Sequence, residues 1–437
     1  MLSKAENETL TRVGAGTPMG ELMRRYWHPI AALSQLDQNA TRKVRLLGED
    51  LVLYRDRSGK LGLVAERCPH RQASLLYGIP EEDGLRCAYH GWQFNAEGRC
   101  VEQPYEEAED PGTTFRDRVR IKAYPVQACS GLVFAYLGPL PAPELPRWDL
   151  LEMKNVYRDI GSCVIPCNWL QIMENSVDPV HAEWLHGYFS NYVWSQLGKP
   201  ERAKPLRTHA KIGFDVFEHG IIKRRVLKGD SEEDANWKHG HPLVFPHLLK
   251  VGGFQWRVPV DDENTLHVWY YTYSPEAGKS VPDDEPIPYY EVPVPGPDAN
   301  GNPRWDLMDA TALQDIAMWA TQGPIADRST EILGRSDKGI VLYRRLLKEN
   351  ADKVARGEDP MNVIRDPAKA KNIALHTEDS SGRSRFADAS GRKAGDSPLP
   401  GLANSSGRFG GATKYSPVLQ AREGVEVANV IETVTGK

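Results

Sequence analysis

The sequence predicts an α+β fold in two domains: a small antiparallel β domain, followed by a larger domain in which strands and helices mix. In the range 27–140, short apolar runs alternate with turns rich in Gly and Pro, which is typical of short strands. Four prolines within residues 139–146 indicate a stiff linker. Beyond the linker, strand-like runs are followed by segments with helical periodicity.

The first 26 residues predict two short helices. Ser3 and Glu6 have the spacing of a capping box, and Thr17 followed by Pro18 is typical of a helix start. In the β domain, the clearest strand runs are 43–47, 51–54, 61–64 and 131–137. We therefore expect N-terminal helices over 1–26 and the β domain over 27–140.

The second domain is predicted to cover residues 147–350. It begins with a helix near 169–173, continues with strands over 212–217, 254–260 and 265–273, and ends with helices over 310–321 and 338–350. Residues 351–437 are predicted to form a C-terminal extension that is irregular in part, because the chain after Asp379 is rich in Ser, Gly, Arg and Asp.

Composition excludes several classes of protein. The 437 residues are 40% hydrophobic and 26% charged, as in an ordinary soluble protein. A net charge of −5 without a block of Lys or Arg argues against a nucleic-acid partner, and no apolar run approaches the ~18 residues of a membrane span. The polar N-terminus is unlike a signal peptide, so we expect a cytoplasmic protein with reduced thiols at Cys100, Cys129, Cys163 and Cys167.

Two short runs, Cys68-Pro69-His70 and Cys87-Ala88-Tyr89-His90, each supply one thiolate and one imidazole. A Rieske [2Fe–2S] centre needs two Cys on one iron and two His on the other. A Cys₂His₂ zinc site is the alternative, but zinc fingers usually group both Cys in one run and both His in another. We therefore expect Cys68, His70, Cys87 and His90 to hold a Rieske cluster.

A second group of candidate ligands lies at Asp178, His181 and His186. Two His with one carboxylate form the metal site of mononuclear Fe(II) oxygenases. Because Pro179 cannot lie inside a helix, one helix should end near Val177 and another begin with Asp178 as its N-cap.

A separation of five residues places two side chains about 140° apart on an ideal α-helix, so His181 and His186 can share a metal only if the helix loosens between them. A hydrogen-bonded His pair beside a capping Asp is the alternative. Spacing does not select the third ligand. His239-Gly240-His241 is interpreted as a turn with two exposed imidazoles.

The order Cys-x-His, Cys-x-x-His, Asp-x-x-His-x₄-His resembles the α subunit of Rieske non-haem iron aromatic ring-hydroxylating oxygenases, up to about Leu347. The runs 10–14, 16–20 and 24–27 are similar to the phthalate-dioxygenase-like branch, which works without a β subunit. The block from Gln314-Asp315 to Asp327-Arg328 is similar too. Matching that block implies that Asp315 is the third iron ligand, a choice that spacing would not make over Asp327 or Glu331.

The resemblance also implies an architecture. A β-sandwich-like Rieske domain would lie beside a helix-grip catalytic domain, in which an antiparallel sheet wraps a long helix. The chains would form a homotrimer or a stack of two trimers. Asp178 would bridge His90 of one chain and His181 of the next, and Asn175 would lie near the iron.

The implied activity is that of a terminal oxygenase with a [2Fe–2S] cluster and a mononuclear Fe(II). A separate NAD(P)H-dependent reductase, with flavin, ferredoxin or both, would supply single electrons, and O₂ would be activated beside the substrate. The first expectation is ring dihydroxylation of an aromatic acid, and the alternative is O-demethylation of a methoxylated aromatic acid. A Rieske electron carrier without oxygenase activity and a zinc-stabilised binding protein are the remaining alternatives.

An aromatic carboxylate would favour an Arg partner, and the catalytic half offers four candidates: Arg207, Arg224, Arg225 and Arg257. The bulky step Ala182-Glu183-Trp184-Leu185 departs from the small Ser-rich step associated with phthalate-specific members. We therefore expect a larger aromatic acid, either lignin-derived or biaryl.

Overall fold

The computed structural model describes residues 2–275, 279–375, 402–403 and 414–419. Two N-terminal helices, α1 (Lys4–Thr11) and α2 (Pro18–Met23), begin where the sequence predicts. The capping box of Ser3 and Glu6 is present, and the Thr17 side chain accepts a hydrogen bond from the backbone N–H of Gly20. The predicted helix starts are thus confirmed.

The first domain consists of three small antiparallel sheets, with the strand orders β1-β11-β10, β2-β3-β4-β9 and β5-β6-β7-β8. Its strands are β1 (Trp27–Ala32), β2 (Thr41–Leu46), β3 (Glu49–Arg55), β4 (Leu61–Ala65), β5 (Ile79–Glu81), β6 (Gly84–Arg86), β7 (Gln93–Phe94), β8 (Cys100–Glu102), β9 (Ala123–Tyr124), β10 (Val126–Cys129) and β11 (Leu132–Tyr136). Two short helices, α3 (Gln35–Gln38) and α4 (Pro104–Glu109), lie on its surface loops.

The second domain begins with α5 (Asp149–Glu152), β12 (Tyr157–Ile165), α6 (Trp169–Ser176), α7 (His181–Glu183), a π-helix (Trp184–Phe189) and α8 (Ser190–Gln196). It continues with β13 (His209–Phe217), β14 (Gly220–Leu227), α9 (Ala235–Lys238), β15 (His241–Val244), β16 (Leu248–Lys250), β17 (Phe254–Pro259), β18 (Thr265–Pro275) and β19 (Tyr289–Glu291). It ends with α10 (Thr311–Thr321), α11 (Lys338–Ala355) and β20 (Leu402–Ala403).

One large sheet organises the second domain, in the order β13-β14-β15-β16-β17-β18-β12-β19, with β20 beside β18. Its pairs are antiparallel except β12 with β19, which is parallel. Register places a set of polar side chains on one face of this sheet: His209, Lys223, Arg225, His241, Arg257 and His267. This polar face points toward α6, α7 and α10, because Lys223 Nζ donates to Asp178 O over 3.3 Å and the His267 ring stacks on Trp319.

The long helix α11 packs against α2 and α6, and its Tyr343 hydroxyl donates at 2.7 Å to Pro246 O, in the turn between β15 and β16. The predicted α+β architecture is confirmed. The chain after α11 returns across the linker, where Ile373 pairs with Trp148. Most of the Ser- and Gly-rich part of the predicted extension lies outside the described residues.

Candidate metal centres and their surroundings

The two Cys-His runs form loops with the same backbone pattern. In the first loop, Cys68 N–H donates to Ala73 O and Gln72 N–H donates to Cys68 O, both at 2.9 Å. In the second loop, Cys87 and Gly91 make the equivalent bonds at 2.8 and 3.0 Å. The fourth residue after each Cys has a positive φ, 61° at Gln72 and 77° at Gly91. Glycine adopts such a φ without strain, which explains Gly91 in the second loop.

The four predicted cluster ligands divide by burial. Cys68 and Cys87 are 1% and 3% exposed, whereas His70 and His90 lie at the surface with ring centroids 4.5 Å apart. The His70 ring also stacks on Trp92 at 4.4 Å. This arrangement suits a cluster whose Cys-bound iron is inside and whose His-bound iron is at the surface.

A single zinc ion suits these loops less well. Tetrahedral zinc would bring its ligand atoms to within about 4 Å of one another. Among the described residues, the group of metal-binding side chains that converges within 4.8 Å is His181, His186 and Asp315, not the Cys-His set. The Cys-His geometry therefore favours a two-iron cluster over zinc.

His181, His186 and Asp315 come together from distant positions in the sequence. The Nε2 atoms of His181 and His186 lie 3.9 and 3.2 Å from Asp315 Oδ1. Asp315 Oδ1 is buried without a hydrogen-bond partner among the described residues. Two imidazole nitrogens and a free carboxylate oxygen on one side of a site match the donor set of non-haem Fe(II), so these residues could hold that metal.

The π-helix explains how two histidines five residues apart face one metal. The sequence predicts that an α-helix would have to loosen between them, and the helix changes from α7 to the π-helix at Trp184. Since π-helical hydrogen bonds join residues five apart, positions i and i+5 lie on nearly the same face. The His181 and His186 ring centroids are accordingly 5.3 Å apart.

The start of α7 differs from the prediction. The helix begins at His181, not directly after Asp178. Asp178 Oδ1 nevertheless accepts from the backbone N–H of Val180 at 2.8 Å and of His181 at 3.4 Å. Its other oxygen lies 3.5 Å from His181 Nδ1, so one carboxylate both stabilises the helix start and faces the back of the imidazole.

Sequence reasoning gave Gln314 no role, although it precedes Asp315. Gln314 is 1% exposed; its Oε1 lies 3.0 Å from His186 Nδ1, and its Nε2 donates to Met308 O. A fixed acceptor on Nδ1 orients the ring so that Nε2 points to the metal position. The position of Gln314 next to Asp315 on α10 was the signal in the sequence that could have identified it.

The polar sheet face carries buried positive charge beside this site. Burial lowers the pKa of Lys223 to about 8 and the pKa of Arg257 to about 9. Both lie close enough to Asp315 for its charge to affect them. Lys223 was not singled out from the sequence, because only the sheet register brings β14 under the metal-binding helices.

A cavity of about 580 Å³ opens beside His181 and Asp178. Asn175 lines it, together with the exposed aromatic side chains of Trp184 and Tyr188. The interpretation of His239 and His241 as two exposed imidazoles is wrong for His241, which is 7% exposed because it lies on the inner strand β15.

Comparison with known proteins decides the family. A Rieske [2Fe-2S] domain family matches residues 26–125, and a LigXa C-terminal domain-like family matches 307–376. The chain is 47% identical over 380 residues to the oxygenase subunit of 5,5'-dehydrodivanillate O-demethylase from Sphingobium sp. (strain NBRC 103272 / SYK-6), covering 86% of this chain and 87% of that one. The chain belongs to the Rieske non-haem iron oxygenases.

Other similarities agree with this family and with its phthalate-dioxygenase-like branch. The oxygenase subunit of phthalate 4,5-dioxygenase from Pseudomonas putida is 32% identical and covers 83% of this chain and 89% of its own. The solved structure of NdmA from Pseudomonas putida CBB5 has the same fold, with a TM-score of 0.56 at 18% identity, covering 82% of this chain and 98% of its own.

As a Rieske oxygenase, the chain is an enzyme that uses a [2Fe–2S] cluster and a mononuclear iron. It is the oxygenase subunit of a multicomponent system and takes its electrons from a separate protein. All six cysteines are buried, and no disulfide joins any two of them. Among the described residues, no helix is both long and apolar enough to span a bilayer.

Proposed function

We propose that this oxygenase removes the methyl group of a methoxylated aromatic acid. The observation that carries the proposal is the 47% identity, over 86% of the chain, to an O-demethylase oxygenase subunit. Ring dihydroxylation, the first expectation from the sequence, is the second candidate. The phthalate 4,5-dioxygenase relative supports it at 32% identity.

The proposed reaction consumes one aryl methyl ether, one O₂, two electrons and two protons. The methyl carbon is oxidised, its bond to the aryl oxygen breaks, and a phenol, formaldehyde and water leave. Cys68, His70, Cys87 and His90 would hold the cluster, and His181, His186 and Asp315 the iron. When bound, these two groups supply single electrons and O₂ activation.

Buried cations support an acid as the substrate. Arg207 pairs with Asp230, and Arg224 pairs with Asp215, so both are engaged outside the site. Arg257 is 1% exposed; its two Nη atoms donate to Gln255 on the same strand, and its Nε has no hydrogen-bond partner among the described residues. Together with Lys223 and Arg225 on the same face, it offers positive charge to a carboxylate.

The proposed assembly is a homotrimer or a stack of two, with Asp178 as the contact between chains. Asp178 lies beside His181 and at the edge of an open cavity. His90 and Tyr89 are exposed at the tip of the Rieske domain. Asp178 would accept a hydrogen bond from His90 of the partner subunit, and Asn175 would support the iron site from the same cavity. The free thiols support a cytoplasmic location.

Coupled turnover tests the proposed function. The oxygenase is incubated with a surrogate reductase, NADH and a panel of plain and methoxylated aromatic acids that includes 5,5'-dehydrodivanillate; Asp315→Ala is the inactive control. Formaldehyde and a product lighter by one methylene unit support O-demethylation. A product heavier by two hydroxyl groups without formaldehyde means ring dihydroxylation, and failure of every acid to stimulate O₂ uptake contradicts an aromatic-acid substrate.

A further inference from the structure

We propose that His209, held in one tautomer by Glu183, accepts a hydrogen bond from a phenolic hydroxyl of the substrate. The substrate class would then be an aromatic acid with a free hydroxyl as well as a methoxyl group. This inference rests on the proposed function, since it names a group on the substrate of that reaction. It assigns His209 a role in substrate selection.

Glu183 fixes the imidazole. One carboxylate oxygen, Oε2, accepts from the backbone N–H of His209 at 2.8 Å and lies 3.1 Å from its Nδ1. Since a carboxylate can only accept, Nδ1 carries the proton. Burial lowers the pKa of His209, so the ring is neutral and Nε2 is left with a lone pair.

That lone pair has no partner among the described residues. The His209 side chain is only 7% exposed, and Nε2 is a buried atom without a hydrogen bond. Buried polar atoms are rarely left unpaired in native proteins. An oriented, buried and unpaired acceptor therefore points to a ligand that brings a donor.

The position of His209 relates it to the metal-binding residues. His209 begins β13 and shares the polar sheet face with Arg225 and Lys223. After burial, the positive charges of these two residues also lower the pKa of His209. Lys223 in turn donates to the backbone of Asp178. Glu183 follows His181 by two residues on α7. The His209–Glu183 pair therefore lies on the same side of the sheet as the three candidate iron ligands.

The chemistry of the surroundings selects the donor. A carboxylate has no proton to give at neutral pH, and an amine cation would be repelled by Lys223 and Arg225. A phenol can donate a hydrogen bond to Nε2, and the neighbouring cations favour the partial negative charge on its oxygen. The carboxylate of the same substrate would be left to Arg257, further along the sheet.

Binding and turnover of a matched substrate pair test the inference. The pair is 5,5'-dehydrodivanillate and the same biaryl with hydrogen in place of each phenolic hydroxyl; Kd is measured by calorimetry and kcat/KM by formaldehyde release. We expect the wild type to favour the hydroxylated compound by roughly tenfold to a hundredfold, mainly through Kd and KM. In His209→Phe this preference should disappear, because the acceptor is lost and the ring shape is kept.

Two further variants separate loss of the hydrogen-bond acceptor from a general effect of the substitution. His209→Gln retains an acceptor oxygen and should recover part of the preference, even if His209→Phe folds poorly. His239→Phe removes an exposed imidazole outside the site and should keep the full preference. Equal binding and turnover of both compounds by the wild type, or an unchanged preference in a folded His209→Phe, would overturn the inference while the proposed function stands. If neither compound releases formaldehyde, the proposed function fails for this substrate and the inference fails with it.

Discussion

At the scale of single residues, Gln314 determines the orientation of the His186 ring toward a metal. Replacing it by Leu keeps the volume and removes the acceptor at 3.0 Å from Nδ1, so the ring is no longer held in one orientation. We expect Gln314→Leu to lower the affinity for mononuclear iron about 10- to 100-fold without changing the cluster absorption. Iron titration of the apoprotein measures this. The exposed Gln127→Leu is the control, and equal affinity in both variants would contradict the role of Gln314.

Asp159 gives the protein a defined pH dependence of stability. Burial raises the pKa of this carboxyl from 3.8 to about 7, although Ser416 and Tyr273 donate to it. Between about pH 4 and pH 7, the folded chain therefore binds more protons than the unfolded chain. Asp159 therefore stabilises the folded chain at acidic pH, and this stabilisation is lost as the pH rises to 7.

Asp159→Asn should remove this dependence and stabilise the protein above pH 7, by up to about 4 kcal/mol. The measurement is the difference in urea midpoint between variant and wild type at pH 5 and pH 8. A difference that is the same at both pH values would show that Asp159 does not titrate in this range.

At the scale of elements, a buried ionic network holds α6, α11 and the segment around Arg328 together. Glu174 on α6 accepts from Arg328 at 2.7 Å and from Arg344 on α11 at 2.7 Å, and Arg344 also binds Glu331. Arg328 is 1% exposed. Removing the negative charge would leave a buried guanidinium without its counter-ion.

We therefore expect Glu174→Gln to lower the free energy of unfolding of the catalytic domain by about 3 kcal/mol. Urea denaturation followed by circular dichroism measures the change. The matched control is Glu349→Gln, which removes the exposed pair with Arg345 on the same helix and should cost less than about 0.5 kcal/mol. Similar losses in the two variants would refute the special role of the buried network.

Local sequence patterns predicted some elements of the fold, whereas residues brought together by long-range packing could not be predicted in this way. The capping box at Ser3 and the unusual spacing of His181 and His186 are local patterns, and each predicted the observed backbone. Asp315 came only from the family resemblance. Lys223 and His209 could not be assigned roles, because only strand register brings them to the site over long separations in the sequence.

At the scale of the whole molecule, electrons are proposed to pass between chains through Asp178. Two inactive variants test this: Cys87→Ser removes a cluster ligand, and Asp315→Ala removes an iron ligand. Mixed trimers refolded or co-expressed from both should recover about a quarter of the wild-type activity, because some intact iron sites then face an intact cluster on a neighbour.

Adding Asp178→Asn to the Cys87→Ser chain should abolish that recovery while leaving its iron site filled. Transfer within one chain predicts no recovery in any mixture. Recovery that survives Asp178→Asn would mean that electrons cross between chains by another route.

For the whole molecule, we propose that one chain holds two different iron centres, one on the Cys-His loops and one on His181, His186 and Asp315. The most direct measurement is iron, zinc and acid-labile sulfide per chain in the purified wild type and in Asp315→Ala. We predict about three irons and two sulfides in the wild type, and about two irons and two sulfides in the variant. Zinc without sulfide, or the same iron content in both proteins, would contradict the claim.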